Sequence, residues 1–302
     1  MPGDLVFLPG TLFAKPSGSQ ALFNYPVLAD KTGVGQNTSA MKINLPRPYK
    51  IIEVVVENAY TKTFVLNGRL EAAPGQFVMA WLPGQPDKPF SLAGADPIKL
   101  TIANVGPFSQ ALHQLTPGEA IWLRGPLGNG YRLSAERSTA PHALLIGGGY
   151  GVAPLLFLAT RALQLGQHIS MIIGARRAAD LLLVEAFRAS SIPLWLTTED
   201  GSVGVHGRVT DAIPLVIAQS NRRPTTIYSC GPTAMLQAIA AVGQAEQIPV
   251  QLAWEAHMRC GLGLCGSCEV GEGWLTCLDG PVFAFDPKKT APAHVEPSPY
   301  QT

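Results

Sequence analysis

Four cysteines near one end of the chain constrain it more than any other feature. Cys260, Cys265, Cys268 and Cys277 stand at C-x4-C-x2-C-x8-C spacing, and a fifth, Cys230, stands apart. Met1 to Gly10 lacks the basic stretch followed by an apolar run that marks a secretory signal. A disulfide framework is therefore not expected, and clustered thiols read as metal or redox ligands. Structural zinc sites usually carry two C-x2-C knuckles, whereas here only Cys265 and Cys268 have that spacing. A C-x4-C-x2-C run with a more distant fourth cysteine suits a [2Fe–2S] cluster better, since four thiolates must converge on two irons. Gly261, Gly263 and Gly266 permit positive φ and let backbone N–H groups approach the sulfurs.

The chain has 302 residues, of which 47% are hydrophobic and only 14% charged. Such a balance supports a sizeable core, suits two domains and excludes a disordered protein. Twenty-two Lys and Arg against twenty-one Asp and Glu leave a net charge of +1 with no basic stripe, so nucleic acid is not an expected partner. The low charge fits a subunit that hides surface against another chain. The charge-free stretch from Ala143 to Thr160 just reaches the length of a membrane span, about 18 residues. Gly147, Gly148, Gly149 and Pro154 interrupt it, so a strand, turn and helix are expected instead. No span is expected, and the location is read as cytoplasmic.

Residues 1–45 have no sustained period and read as a flexible leader or a start placed too early. From Tyr49 to Leu123, the runs YKIIEVVVEN, TKTFVLNG, QFVMAWL, PIKLTIANV and EAIWLRG predict a small β-barrel or sandwich, with one helix near Ser109–Leu115. After Ser138 the apolar runs HALLIGG, HISMIIG, PLWLTT, TTIYSC and PVQLAW alternate with APLLFLATRALQLG, ADLLLVEAFRAS and GPTAMLQAIAAVGQA. That alternation predicts βαβ units and a parallel sheet covered on both faces. The expected division is a barrel over 46–138, an α/β domain over 139–254, a cysteine segment over 255–286 and a disordered tail over 287–302.

Several loops carry candidate ligand contacts. Gly147, Gly148, Gly149 and Gly151 follow a strand and open a helix, where backbone N–H groups can receive a pyrophosphate. Cys230, Gly231 and Pro232 end a later strand at the edge where open α/β sheets bind ligands. An isolated cysteine such as Cys230 also reads as a small buried hydrophobe. Lys88, Pro89, Phe90 and Ser91 put a cation and a hydroxyl on an extended segment suited to a flavin. Gly106 and Ser109 begin a short helix, another seat for phosphate. Gly125 to Gly130 is a turn run.

The order of these motifs resembles the ferredoxin–NADP⁺ reductase superfamily, in which a flavin-binding β-barrel precedes an NAD(P)-binding α/β domain. Lys88–Ser91 looks like the superfamily's Arg-x-Tyr/Phe-Ser flavin motif, with Lys88 in place of arginine, which gives up bidentate phosphate binding. The Gly147–Pro154 segment resembles its pyrophosphate loop, and Cys230-Gly231-Pro232 its motif near the nicotinamide. Cys260-Gly261-Leu262-Gly263-Leu264-Cys265-Gly266-Ser267-Cys268, followed by Cys277-Leu278-Asp279-Gly280-Pro281-Val282-Phe283, is similar to the electron transfer subunits of dihydroorotate dehydrogenase. Those subunits usually have a longer gap before the fourth cysteine.

The resemblance implies FAD, a [2Fe–2S] cluster and NAD as cofactors, with Arg176 and Arg177 leaving NADP open. It implies a flavin-containing catalytic partner that oxidises dihydroorotate, assembled with this chain as a heterotetramer. Electrons would cross the cluster and FAD to NAD⁺, with Cys230 near the nicotinamide. Glu255, just before the cluster, reads either as a group near the flavin–nicotinamide contact or as a solvated surface carboxylate. The same layout occurs in diaphorase subunits of hydrogenases and in a ferredoxin:NADP⁺ transhydrogenase, and a zinc-stabilised binding protein is the non-enzymatic alternative. No Ser-His-Asp set is evident and the six histidines show no metal spacing.

Overall fold

Short runs of β-branched and aromatic residues, bounded by turn residues, become strands in the first half of the chain. The computed structural model describes residues 45–133, 141–220 and 222–287. The leader up to residue 44 and the tail from residue 288 lie outside the described residues. The first-half strands are β1 (Arg47–Asn58), β2 (Thr61–Leu66), β3 (Phe77–Trp81), β4 (Lys88–Ser91), β5 (Gly94–Ala95), β6 (Ile98–Ala103) and β7 (Ala120–Leu127), with α1 (Pro107–Gln114) before β7. They pair antiparallel in the order β4-β3-β7-β1-β2-β6-β5, and β4 packs back against β6 to curl the sheet into a barrel. Phe64, Leu100 and Ile121 fill its interior, together with Phe108 and Leu112 of α1. Pro89 sits on an edge strand, where its missing N–H removes no bond from the sheet interior.

The second half is the expected parallel sheet. Its elements are β8 (His142–Gly148), α2 (Val152–Gln164), β9 (His168–Ala175), α3 (Val184–Ala189), β10 (Leu194–Thr198), β11 (Val205–His206), α4 (Val209–Gln219), β12 (Thr226–Cys230), α5 (Thr233–Ala245), β13 (Val250–Ala253) and β14 (Val282–Phe285). The strand order is β11-β10-β9-β8-β12-β13-β14, parallel throughout except for β14, which runs antiparallel to β13. Alternate residues of β8 face opposite ways. Leu145 packs with Leu155 and Phe187 on one side, while Leu144 and Ile146 pack with Ile213 and Leu236 on the other. Helices therefore cover both faces.

The structure departs from the sequence expectation in the ADLLLVEAFRAS stretch. Only Val184–Ala189 is α-helical, because Leu183 adopts a left-handed backbone (φ 57°) that breaks the run. Ala143–Thr160 is strand β8, one tight turn and the start of α2. Among the described residues, no helix is long and apolar enough to cross a membrane. The barrel and the sheet are stitched together where the chain passes between them. The Tyr131 hydroxyl donates to the Ser229 carbonyl (2.9 Å), and the Arg132 N–H donates to Gln251 Oε1 (2.7 Å).

Candidate functional site

The chain leaves β8 towards β9 on one side and later returns to β12 on the other, so the strand order reverses between β8 and β12. Open α/β sheets bind ligands outside the carboxyl ends of strands at such a switch point. Gly147 lies in register with Cys230 there, and the two expected loops meet. A cleft of about 470 Å³ opens at that spot, lined by Gly148, Gly149, Tyr150, Pro232, Thr233, Glu255, Ala256 and His257. Gly151 is required by the close approach of the loop to β12. A Cβ there would collide with the Cys230 carbonyl and come within 2.7 Å of the Gly231 nitrogen. Gly149 has a left-handed φ of 55° and open space around it, leaving its backbone accessible to a pyrophosphate.

Glu255 follows β13 and joins this cleft. Glu255 is exposed as a residue, yet the protein packed around its carboxyl desolvates it and raises its pKa. The Glu255 charge, then burial, raises the Tyr150 phenol in turn. Cys230 is buried, and desolvation pushes its thiol far above the usual range, with Glu255 adding to the effect. Cys230 is therefore a neutral thiol packed under the loop. Arg177, largely exposed, pairs with Asp180 through two contacts (3.1 and 3.2 Å).

The β4 segment presents Lys88, Pro89 and Phe90 half-buried and Ser91 exposed. Lys88 has no ion pair among the described residues, so its ammonium is available to a phosphate. Phe90 stacks on Phe108 of α1, with ring centroids 6.1 Å apart. Ser109 is buried and turned onto the backbone: its Oγ accepts from the N–H groups of Val105 (2.9 Å) and Gly106 (3.0 Å). It thereby shapes the start of α1. A Cβ at Gly106 would meet nothing within 4 Å, which leaves the loop surface open to a cofactor. These groups fit a flavin nucleotide.

Between β13 and β14 runs the cysteine loop. Leu262 and Leu264 N–H groups donate to Cys260 Sγ (3.3 and 3.4 Å), and the Gly263 N–H donates to Cys277 Sγ (3.3 Å). Gly261, Gly263 and Gly266 have φ of 61°, 73° and 71°, as the sequence led one to expect. Ser267, whose hydroxyl lies 3.1 Å from Cys265 Sγ, holds the exposed Cys265 thiol down to about 6, with help from Cys260. Burial pushes Cys277 up to about 12, and Cys268 adds to it. Among the described residues, no three of these or other donors are drawn together around a point that would hold a lone metal ion. Cys265 instead pairs with Cys260 and Cys277 with Cys268, and N–H groups are aimed at the sulfurs of Cys260 and Cys277. That donor set fits thiolates on a [2Fe–2S] cluster.

Barrel residues hold this loop; of them the sequence marked only the Gly125–Gly130 turn run, and as no more than a turn. Buried Cys268 and Cys277 pack on Phe77 and Met79 of β3, with Met258. Arg124 donates to the Cys260 carbonyl (2.7 Å) and to Asp87 (3.1 Å). Asn129 donates to the carbonyls of Leu278 and Asp279 (3.0 Å each). Gly128 approaches the Gly280 carbonyl so closely that a Cβ would lie 2.6 Å from it. The Gly125–Gly130 turn run is thus a docking ledge for the cysteine loop. These contacts span more than a hundred positions, so no local pattern could have disclosed them.

A flavin-type barrel, a nucleotide cleft at a sheet switch point and a four-thiol loop between them define an NAD-linked oxidoreductase of ferredoxin reductase-like architecture with an iron–sulfur segment. Residues 145–241 match the oxidoreductase NAD-binding domain, and residues 255–287 match the iron-sulfur cluster binding domain of dihydroorotate dehydrogenase B. The probable dihydroorotate dehydrogenase B (NAD(+)) electron transfer subunit of Thermococcus kodakarensis is 40% identical, covering 74% of this chain and 89% of its own. Its counterpart in Methanopyrus kandleri is 37% identical over 76% of this chain and 88% of its own. The chain belongs to the family of dihydroorotate dehydrogenase B electron transfer subunits. Among solved structures, a chain of the NADH-dependent reduced ferredoxin-NADP oxidoreductase aligns with a TM-score of 0.69 and 28% identity, over 78% of this chain and 87% of that one. The FAD/NAD binding domain of Vibrio cholerae nitric oxide dioxygenase shares the fold, with a TM-score of 0.55 and 20% identity over 67% of this chain and 94% of that one.

Proposed function

We propose that this chain carries electrons from dihydroorotate oxidation in a partner catalytic subunit through [2Fe–2S] and FAD to NAD⁺, a step of pyrimidine biosynthesis. One observation carries the reading: the loop bearing four thiols leaves the nucleotide cleft beside Glu255 and rests on β3 of the barrel. A single segment therefore reaches both cofactor regions. The higher identity to dihydroorotate dehydrogenase subunits, 40% against 28% for the ferredoxin-NADP oxidoreductase chain, favours this reading over the transhydrogenase one.

Bound flavin, nicotinamide and cluster supply the hydride and one-electron chemistry, and the chain places them. In this reading Lys88, Pro89, Phe90 and Ser91 hold FAD against the loop shaped by Gly106 and Ser109. Gly147, Gly148, Gly149, Gly151, Gly231 and Pro232 receive NAD, and Cys260, Cys265, Cys268 and Cys277 ligate the cluster. Cys230 packs beneath the nicotinamide position, and Glu255 holds a proton at the cleft more readily than an ordinary carboxylate. The domains are the barrel over 46–138, the α/β domain over 139–254 and the cluster segment over 255–286. Exposed Leu264, next to Cys265, and exposed Leu278, next to Cys277, offer the flavin-bearing catalytic subunit apolar contacts in a cytoplasmic heterotetramer.

The purified chain alone should oxidise NADH with artificial acceptors and show no dihydroorotate turnover. Adding the catalytic subunit should restore dihydroorotate-dependent NAD⁺ reduction. Dihydroorotate oxidation by this chain without a second subunit would overturn the relay.

A further inference from the structure

We propose that Arg124 is a positioning residue that raises the reduction potential of the cluster and braces it against the flavin segment. The inference rests on the reading that Cys260, Cys265, Cys268 and Cys277 hold [2Fe–2S]. On β3, Met79 lies in register with Arg124 of β7 on one side and Pro89 of β4 on the other, so the three share one face of the sheet. That face is the one the cysteine loop covers, since Met79 packs with Cys268 and Cys277. The Arg124 side chain is only 11% exposed, and its Nη2 donates to both the Cys260 carbonyl and Asp87. Asp87 immediately precedes Lys88 of the flavin segment. One guanidinium thus ties the backbone of a cluster ligand to the strand that carries the flavin contacts.

Its charge is under-compensated. Among the described residues, Nη1 is buried without a hydrogen-bond partner, and Asp87, the only carboxylate paired with this guanidinium, is more exposed at 28%. Arginine brings a fixed positive charge to this position. A four-thiolate cluster becomes more negative when it accepts an electron. A fixed cation beside it, in poorly screened surroundings, favours the reduced state. Arg124 accordingly assists entry of electrons from the partner, while the Asp87 tether keeps ligand and flavin segment at a set separation.

The experiment is an anaerobic redox titration of the full chain loaded with FAD and cluster, followed by the electron paramagnetic resonance of the reduced cluster. Wild-type protein must first show that signal; its absence would refute the [2Fe–2S] reading itself. Given the signal, Arg124→Gln should lower the cluster midpoint potential, Arg124→Lys should stay closer to wild type, and Asp87→Asn should raise it. Iron content and FAD content are measured in parallel. A fully loaded Arg124→Gln protein with an unchanged potential overturns the proposal. Should that variant fail to load, Asp87→Asn decides: an unshifted or lowered potential there overturns it equally.

Discussion

At the carboxyl ends of β8 and β12, the nucleotide cleft is shaped by strands that are hydrogen-bonded on both sides and covered by helices on both faces. The cysteine loop has almost no regular structure, only isolated bridges from Glu269 to Leu275 and from Pro281 to Asn129 of the barrel, and it borrows its rigidity from the barrel through Arg124, Asn129 and Met79. The cleft is therefore specified by the strand ends of an ordered sheet and the loop by side-chain contacts with the barrel. Damage to the cleft should be felt as lost geometry, and damage to the loop as a lost cofactor.

Substituting a thiol ligand tests that division most severely. Cys268→Ser removes a buried ligand, so iron, sulfide and the broad visible absorption of the cluster should be lost almost completely, while FAD stays bound. Cys230→Ser, beneath the cleft, should leave iron content unchanged. Equal iron loss in both variants would erase the distinction between the regions. A smaller effect is expected from Gly151→Ala, whose methyl must push the loop away from the Cys230 carbonyl. The KM for NADH should rise about tenfold, with a loss of about 1–3 kcal/mol in stability from the forced overlap and no change in iron. An unaltered KM would show that the glycine loop does not set the nucleotide contact.

The smallest effect concerns Glu255. Burial raises its pKa in the folded chain, so the folded state holds a proton that the unfolded state has already released. Stability then falls as pH climbs from the ordinary carboxylate value to the raised one, and the loss is complete above both. Glu255→Gln should match wild type in acid and gain on it across that window. Urea unfolding at stepped pH measures the difference, and parallel curves would place the carboxyl in ordinary solvent.

Much of this could be read from the residues in order. The apolar runs marked ten of the strands because β-branched residues between turn signals leave few other options, and the cysteine and glycine spacings located both halves of the site. What escaped did so for physical reasons. Helix α4 carries Pro214 in its interior, which weakens the helical pattern. The short α3 depends on the left-handed turn at Leu183, unusual for a non-glycine residue. The role of Ser109 as a support for its own loop, and the grip of Arg124 and Asn129 on the cysteine loop, depend on atoms brought near only by folding.

The pairing of Ala253 with Val282 gives the metal-binding stretch the character of a detour. The polypeptide departs one edge of the sheet and rejoins the same edge on the adjacent strand, so both ends of the excursion are clamped a strand's width apart. The number of residues spent between the clamps can then change without moving any strand. A short interval before Cys277 is tolerable on these terms: shortening the detour alters where the sulfurs reach, and leaves the nucleotide-binding scaffold untouched.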